Sequence, residues 1–224
     1  MEKNKNQPLV IDLNKEKENV YIGATVEIPE GYYLQIVQKG KLLPALFDGI
    51  ITLDNDSIPE LEIDDVSALD TRFFLICYEF PLEFNFENCY ADLNKGYPLN
   101  YSFTLPKTIF TFSRPDLLLE HLFAFDEETK EGIYFYESNL KGFIELTIKN
   151  EIEETLLLQP FFNPENGSIE YETLSEEHQK FMDYIAQIEA NLEEMFDSLG
   201  IQVEIQIEDF QSVCPVEEFY VEEA

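Results

Sequence analysis

The chain has 224 residues, of which 45% are hydrophobic and 14% aromatic, with Phe and Tyr supplying every ring. That is enough apolar matter for a folded core and excludes a disordered polyelectrolyte. Its 46 acidic and 14 basic residues leave a formal charge of −32, a field that repels nucleic-acid phosphates and anionic lipid headgroups.

Residues 1–19 read as a flexible segment without the apolar stretch of a signal peptide. From residue 20 to about 112, short apolar or alternating runs are cut by Gly, Pro, Asn and Asp. Candidate strands are Tyr32–Gln38, Leu42–Phe47, Phe73–Phe80, Glu83–Asn88 and Leu99–Leu105, followed by Thr108–Phe112. Gly40-Lys41 marks the turn of a hairpin. Phe84-Asn85-Phe86-Glu87 and Phe103-Thr104-Leu105 alternate, which leaves one face wet.

From Ser113 the pattern becomes helical. Ser113 is placed to cap and Pro115 to take an early helical position, with Leu117, Leu118, His121, Leu122 and Phe125 on one side. A second helix runs from about Ser138 to Leu158, with Phe143, Ile144, Ile148, Ile152 and Leu156 as its stripe. Asn166-Gly167 suggests a small hairpin or tight loop. The third helix opens at Thr173-x-x-Glu176, a capping-box pattern, and carries Phe181, Ile185, Ile188, Leu192, Met195, Phe196 and Leu199. Gly200 stops it. Ile201, Val203, Ile205 and Ile207 then alternate with polar residues as a half-buried final strand. Antiparallel strands and hairpins, then three helices and a closing strand, make one α+β domain over residues 20–213. Residues 214–224 form an acidic-aromatic tail.

Four passages together resemble the SPFH or band 7 domain of the stomatin, prohibitin and flotillin group. They are Glu30-Gly31-Tyr32-Tyr33-Leu34 through Gly40-Lys41-Leu42-Leu43, and Gly49-Ile50-Ile51-Thr52-Leu53 with Ile58-Pro59-Glu60-Leu61. Tyr97-Pro98-Leu99 through Phe112-Ser113-Arg114-Pro115 is the third. Leu199-Gly200-Ile201-Gln202-Val203 through Ile207 is the fourth. The resemblance spans roughly residues 22 to 213. It departs at Phe47-Asp48-Gly49, where many members carry a Pro-Gly-Arg type of turn. Neither the family's N-terminal membrane anchor nor its long helical extension has an expected counterpart in this sequence. The resemblance therefore implies a fold and a scaffolding role without catalytic residues, rather than assembly of membrane microdomains.

Motifs for chemistry fail on inspection. Gly40-Lys41 lacks the upstream Gly and the following Ser or Thr of a phosphate loop. Asp54-Asn55-Asp56 lacks the Gly and Glu of a calcium loop and reads as a polar Asx turn. His121 and His178 lie on different helices, and His121 reads as a core-edge histidine. Cys77, Cys89 and Cys214 show no C-x-x-C spacing and read as reduced thiols, with Cys77 in the core.

After residue 150 there are 20 Asp and Glu against Lys180 alone. The final helix carries Glu176-Glu177, Glu193-Glu194 and Asp197, with like charges at 189/193 and 193/197. The tail mixes acids with Phe219 and Tyr220, a composition suited to docking into a groove. Glu193, Glu194, Asp197, Phe219 and Tyr220 are thus the candidate partner-binding residues. No catalytic, cofactor or metal residue is expected. The expectation is a non-catalytic cytoplasmic interaction or scaffold module that binds itself or a basic protein. Nucleic acid and a transmembrane segment are not expected, and membrane contact would come only through a partner. The alternatives are an acidic decoy that imitates nucleic acid to occupy a basic groove, and an enzyme whose site forms only in three dimensions.

Overall fold

The computed structural model describes residues 8–16, 20–64, 70–93, 97–129, 134–155, 162–163, 168–169 and 174–213. In chain order the elements are β1 (Pro8–Asp12), α1 (Leu13–Glu16), β2 (Thr25–Gln38), β3 (Lys41–Leu42), β4 (Leu46–Thr52) and β5 (Thr71–Cys77). Then come β6 (Glu79–Leu93), β7 (Tyr97–Phe112), α2 (Pro115–Thr129), β8 (Tyr134–Tyr136), α3 (Glu137–Thr155), β9 (Phe162–Asn163) and β10 (Ser168–Ile169). The chain closes with α4 (Leu174–Ser198), β11 (Ile201–Gln202) and β12 (Glu208–Val213). The chain mixes α and β elements, and the strand pairs with a defined register are antiparallel. It groups into two compact units: residues 1–80 with 109–139 and 196–202, and residues 81–108 with 140–195 and 203–224.

The first unit contains a six-stranded sheet in the order β3-β2-β5-β1-β8, with β4 also paired to β2. Side chains alternate across a strand, so Leu34 and Ile36 share one face with their partners Leu75 and Phe73. That face carries the aliphatic cluster of Leu13, Val26, Ile28, Leu53, Ile58 and Leu61. The opposite face holds Tyr33, Gln35 and Val37. It also holds Phe74, which meets Phe123 of α2 edge-on at 5.6 Å. The turn after β2 consists of Lys39 and Gly40, both with positive φ, so Lys41 already pairs with Gln38. This is the primed two-residue geometry that matches the twist of the flanking strands. The expected strand over Leu42–Phe47 is split into β3 and β4 around Pro44, which has no N–H to give to a ladder.

The second unit is organised by rings and helix stripes. Along β6 the buried positions run Leu82, Phe84, Phe86 and then Cys89, Ala91. The alternation slips by one residue at Asn88, whose left-handed φ of 56° absorbs the extra residue of a bulge. Phe86 stacks on Phe103 at 4.3 Å, and Phe210 of β12 stacks on both Tyr101 and Phe103. On α3 the buried row is Leu140, Ile144, Ile148 and Ile152. Phe143, expected in that stripe, is exposed, because a row at i+4 spacing begins at Leu140 and leaves position 143 to one side. Leu156 lies outside the described residues. On α4 the buried residues are Phe181, Tyr184, Ile185, Ile188, Leu192 and Phe196. Asn163 pairs with Ser168, so β9 and β10 form the small hairpin expected around Asn166-Gly167, although that turn itself lies outside the described residues.

Three further expectations are corrected. Ser113 does not cap α2. Its hydroxyl and its N–H both donate to the carbonyl of Gly200. The buried side of α2 is Leu118 and Leu119, with His121 exposed. Three consecutive leucines fit two helical phases one residue apart, and periodicity alone selects neither. The final strand is also interrupted. Pairing with β7 occurs at residues 201–202 and resumes at 208, and residues 203–207 between them are not in a strand. The stretch of β7 they run past includes Pro106, which lacks a donor.

Candidate functional site

A cleft of about 380 Å³ opens in the first unit. From the sheet it is lined by Val37 and Leu42, a cross-strand pair, and by the backbone turn at Gly40. From α2 it takes Asp116, Leu119, Glu120 and Phe123. Those four fall at i, i+3, i+4 and i+7, which is one face of a helix. The floor is therefore aliphatic and aromatic, and the rim contributes two carboxylates.

The charges around this cleft are unevenly matched. Arg114 binds Asp116 through two parallel hydrogen bonds of 3.0 and 2.7 Å. That guanidinium holds the Asp116 carboxyl below the usual carboxylate range. Glu120 is exposed and has no ion-pair partner among the described residues. Arg72 lies 4.9 Å from the Phe123 ring centre and 5.3 Å from that of Phe74. Its charge is met by Asp12, a fully buried carboxylate. Lys39 is paired with Glu62. Lys41 is exposed opposite Gln38, on the other sheet face from Val37 and Leu42.

A second surface of the first unit is aromatic. Tyr33, Phe47 and Tyr78 form a mutual triangle with ring centres 5.4, 6.4 and 6.0 Å apart. Tyr33 and Phe47 are cross-strand partners, which fixes them on one face. Phe47 is 57% exposed and Tyr78 46%, while Tyr33 beneath them is 2% exposed. The Tyr33 hydroxyl is buried without a hydrogen-bond partner among the described residues. Burial raises its pKa, and nearby Cys77 and Tyr78 add to the effect. On the same strand as Phe47, Ile50 is 71% exposed. Large apolar groups gathered in this way mark surfaces that another molecule covers.

The acidic residues of α4 do something the sequence did not suggest. The Glu193 carboxylate accepts the N–H of Ile205 at 2.8 Å, and Glu189 accepts that of Ile207 at 2.7 Å. Four residues of helix rise about 6 Å and two residues of extended chain about 6.6 Å, so the two spacings match. The repulsive 189/193 pair is thereby a two-rung support for a segment that has no strand partner. Glu194 and Asp197 are exposed. Phe219 and Tyr220 lie outside the described residues, as do Cys214, Thr173 and the side chains of Phe125 and His178.

The other motifs have structural roles. Asp54 accepts the N–H of Ser57 through its side chain at 2.8 Å, so an Asx side chain satisfies the backbone of this turn as expected, bonding three residues on rather than the two of an Asx turn. Cys77 is buried, and burial pushes its thiol up to about 11. Burial also raises Cys89, with Glu145 adding to it. Both shifts favour the protonated thiol over the thiolate. No helix among the described residues is long and apolar enough to cross a membrane.

Sequence reasoning missed the cleft and the aromatic triangle. Asp116, Leu119, Glu120 and Phe123 do carry a signal, an acidic-apolar face at helical spacing that the run of leucines obscured. Tyr33, Phe47 and Tyr78 come together only through strand pairing. No protein-family model and no curated protein matches the chain.

Proposed function

We propose that this protein is a non-catalytic interaction module of SPFH-like architecture that associates with further copies of itself through the Phe47–Tyr78 surface. The observation that carries the reading is the exposed aromatic pair over the unpartnered Tyr33 hydroxyl. Tyrosine and other rings in such clusters supply contact area at small entropic cost. The hairpin through Gly40, the positive-φ turn at Gly49 and the Gly200 step into β11 are compatible with the SPFH resemblance.

Sedimentation tests the reading. A chain with charge −32 repels its own copies, so the measurement belongs at about 0.5 M salt, where screening is strong. The wild type should gain mass with concentration, and Phe47→Ser combined with Tyr78→Ser should abolish that gain. A wild type that stays monomeric throughout overturns the reading.

A further inference from the structure

We propose that the cleft between the β2–β3 hairpin and α2 binds a short segment of a basic partner protein. The segment places an apolar side chain on Val37, Leu42, Leu119 and Phe123, and sets a lysine or arginine against Glu120. The proposal rests on the reading of the chain as an interaction module, and names a second surface and the chemistry of its occupant.

Charge complementarity selects the occupant. The two ionisable groups on the rim, Asp116 and Glu120, are acids. Among the described residues, the cations on the flanking elements are engaged or turned away: Arg114 with Asp116, Arg72 with Asp12, Lys39 with Glu62, and Lys41 on the other sheet face. Glu120 is left as the uncompensated charge. The net charge of −32 adds a long-range pull on cations and a push against a second copy of the chain. The floor adds a further condition. Leu42 is 37% exposed beside Leu119 and Phe123, so a bare cation would leave apolar surface wet. A volume of about 380 Å³ lies at the small end of ligand clefts and suits one or two side chains rather than a cofactor.

The test uses fluorescence anisotropy with a labelled Gly-Arg-Leu-Arg-Gly peptide at about 50 mM salt, where electrostatic attraction is largely unscreened. The protein is the full chain carrying Phe47→Ser and Tyr78→Ser, which keeps self-association out of the readout. Binding should weaken about ten-fold with Glu120→Lys and about five-fold with Leu42→Ser, as expected for a central charge and an apolar anchor. Glu154→Lys makes the same change in net charge on an exposed site of α3 and should weaken binding less than about two-fold. A peptide with Ser in place of Leu should bind about five-fold more weakly. Residues 42, 120 and 154 are exposed, so these variants are expected to keep the parent's melting temperature. Equal losses from Glu120→Lys and Glu154→Lys would reduce the effect to general charge and overturn the proposal. So would displacement of the peptide by spermine at matched concentration, or indifference to Leu42→Ser. Absence of any binding would also overturn it, while the sedimentation result would stand or fall separately.

Discussion

The two units hold their extended backbone with different side chains. In the first, neutral amides do it. Asn14 donates to the Thr71 carbonyl and accepts the Phe73 N–H, standing in for one residue of a strand beside β5. Gln38 likewise accepts the Glu62 N–H while donating to the Glu62 carbonyl and the Thr71 hydroxyl. In the second, carboxylates do it, from Glu153 to Asp92, Glu193 to Ile205 and Glu189 to Ile207. An amide both donates and accepts, so it can satisfy a carbonyl and an N–H together. A carboxylate only accepts, so it suits a segment that turns successive N–H groups toward a helix. Part of the acidic surplus after residue 150 is therefore internal carpentry rather than solvated surface.

The largest expected effect tests the frame of the first unit. A Cβ on Gly200 would lie 2.1 Å from the Arg114 carbonyl oxygen, and φ there is +77°. Gly200→Ala should lower stability by about 4 kcal/mol or prevent folding, as read by urea denaturation. In the second unit, Phe103→Ala removes a ring stacked on Phe86 and should lose about 3–4 kcal/mol in the same assay. Exchanging the two chemistries is the sharper comparison. Gln38→Glu keeps the acceptor but loses both donated bonds and buries a charge beside Thr71, a loss of about 3 kcal/mol. Glu189→Ala with Glu193→Ala should lose about 2 kcal/mol and speed amide exchange at Ile205 and Ile207. The double Gln variant keeps an accepting oxygen at each position and should stay within about 0.5 kcal/mol of wild type. If Gln38→Glu and the double Gln variant prove equally harmful, the distinction between amide and carboxylate support fails. Among the destabilising changes the mildest is Asn88→Ala, about 1 kcal/mol, because Asn tolerates the left-handed turn of the bulge better than Ala.

Sequence pattern captured what depends on local repetition. Alternation at Phe84 and Phe86 placed their faces correctly, and the spacing from Phe181 to Phe196 placed the buried side of α4. It failed where two readings share one pattern. Leu117-Leu118-Leu119 admits two helical phases, and Ile201 through Ile207 alternates in burial as a strand would, yet its N–H groups meet a helix. The groups that receive these N–H bonds, Glu189 and Glu193, lie on another element, which local alternation does not encode. The candidate surfaces were illegible for the same reason. The triangle of Tyr33, Phe47 and Tyr78 depends on the register of β2 with β4, and the cleft depends on which side of α2 carries Glu120.

The paired carboxylates of α4 also bear on the order of folding. Their bonds to Ile205 and Ile207 bridge only 12 and 18 residues, whereas Asn14 reaches Phe73 across 59. Short loops close sooner than long ones. The segment 203–207 would thus be among the first to find its place, since the helix that receives it lies only a short loop away. Pulse-labelled exchange during refolding should protect the amides of Ile205 and Ile207 before that of Phe73, and the reverse order would show that the carboxylates are reached late.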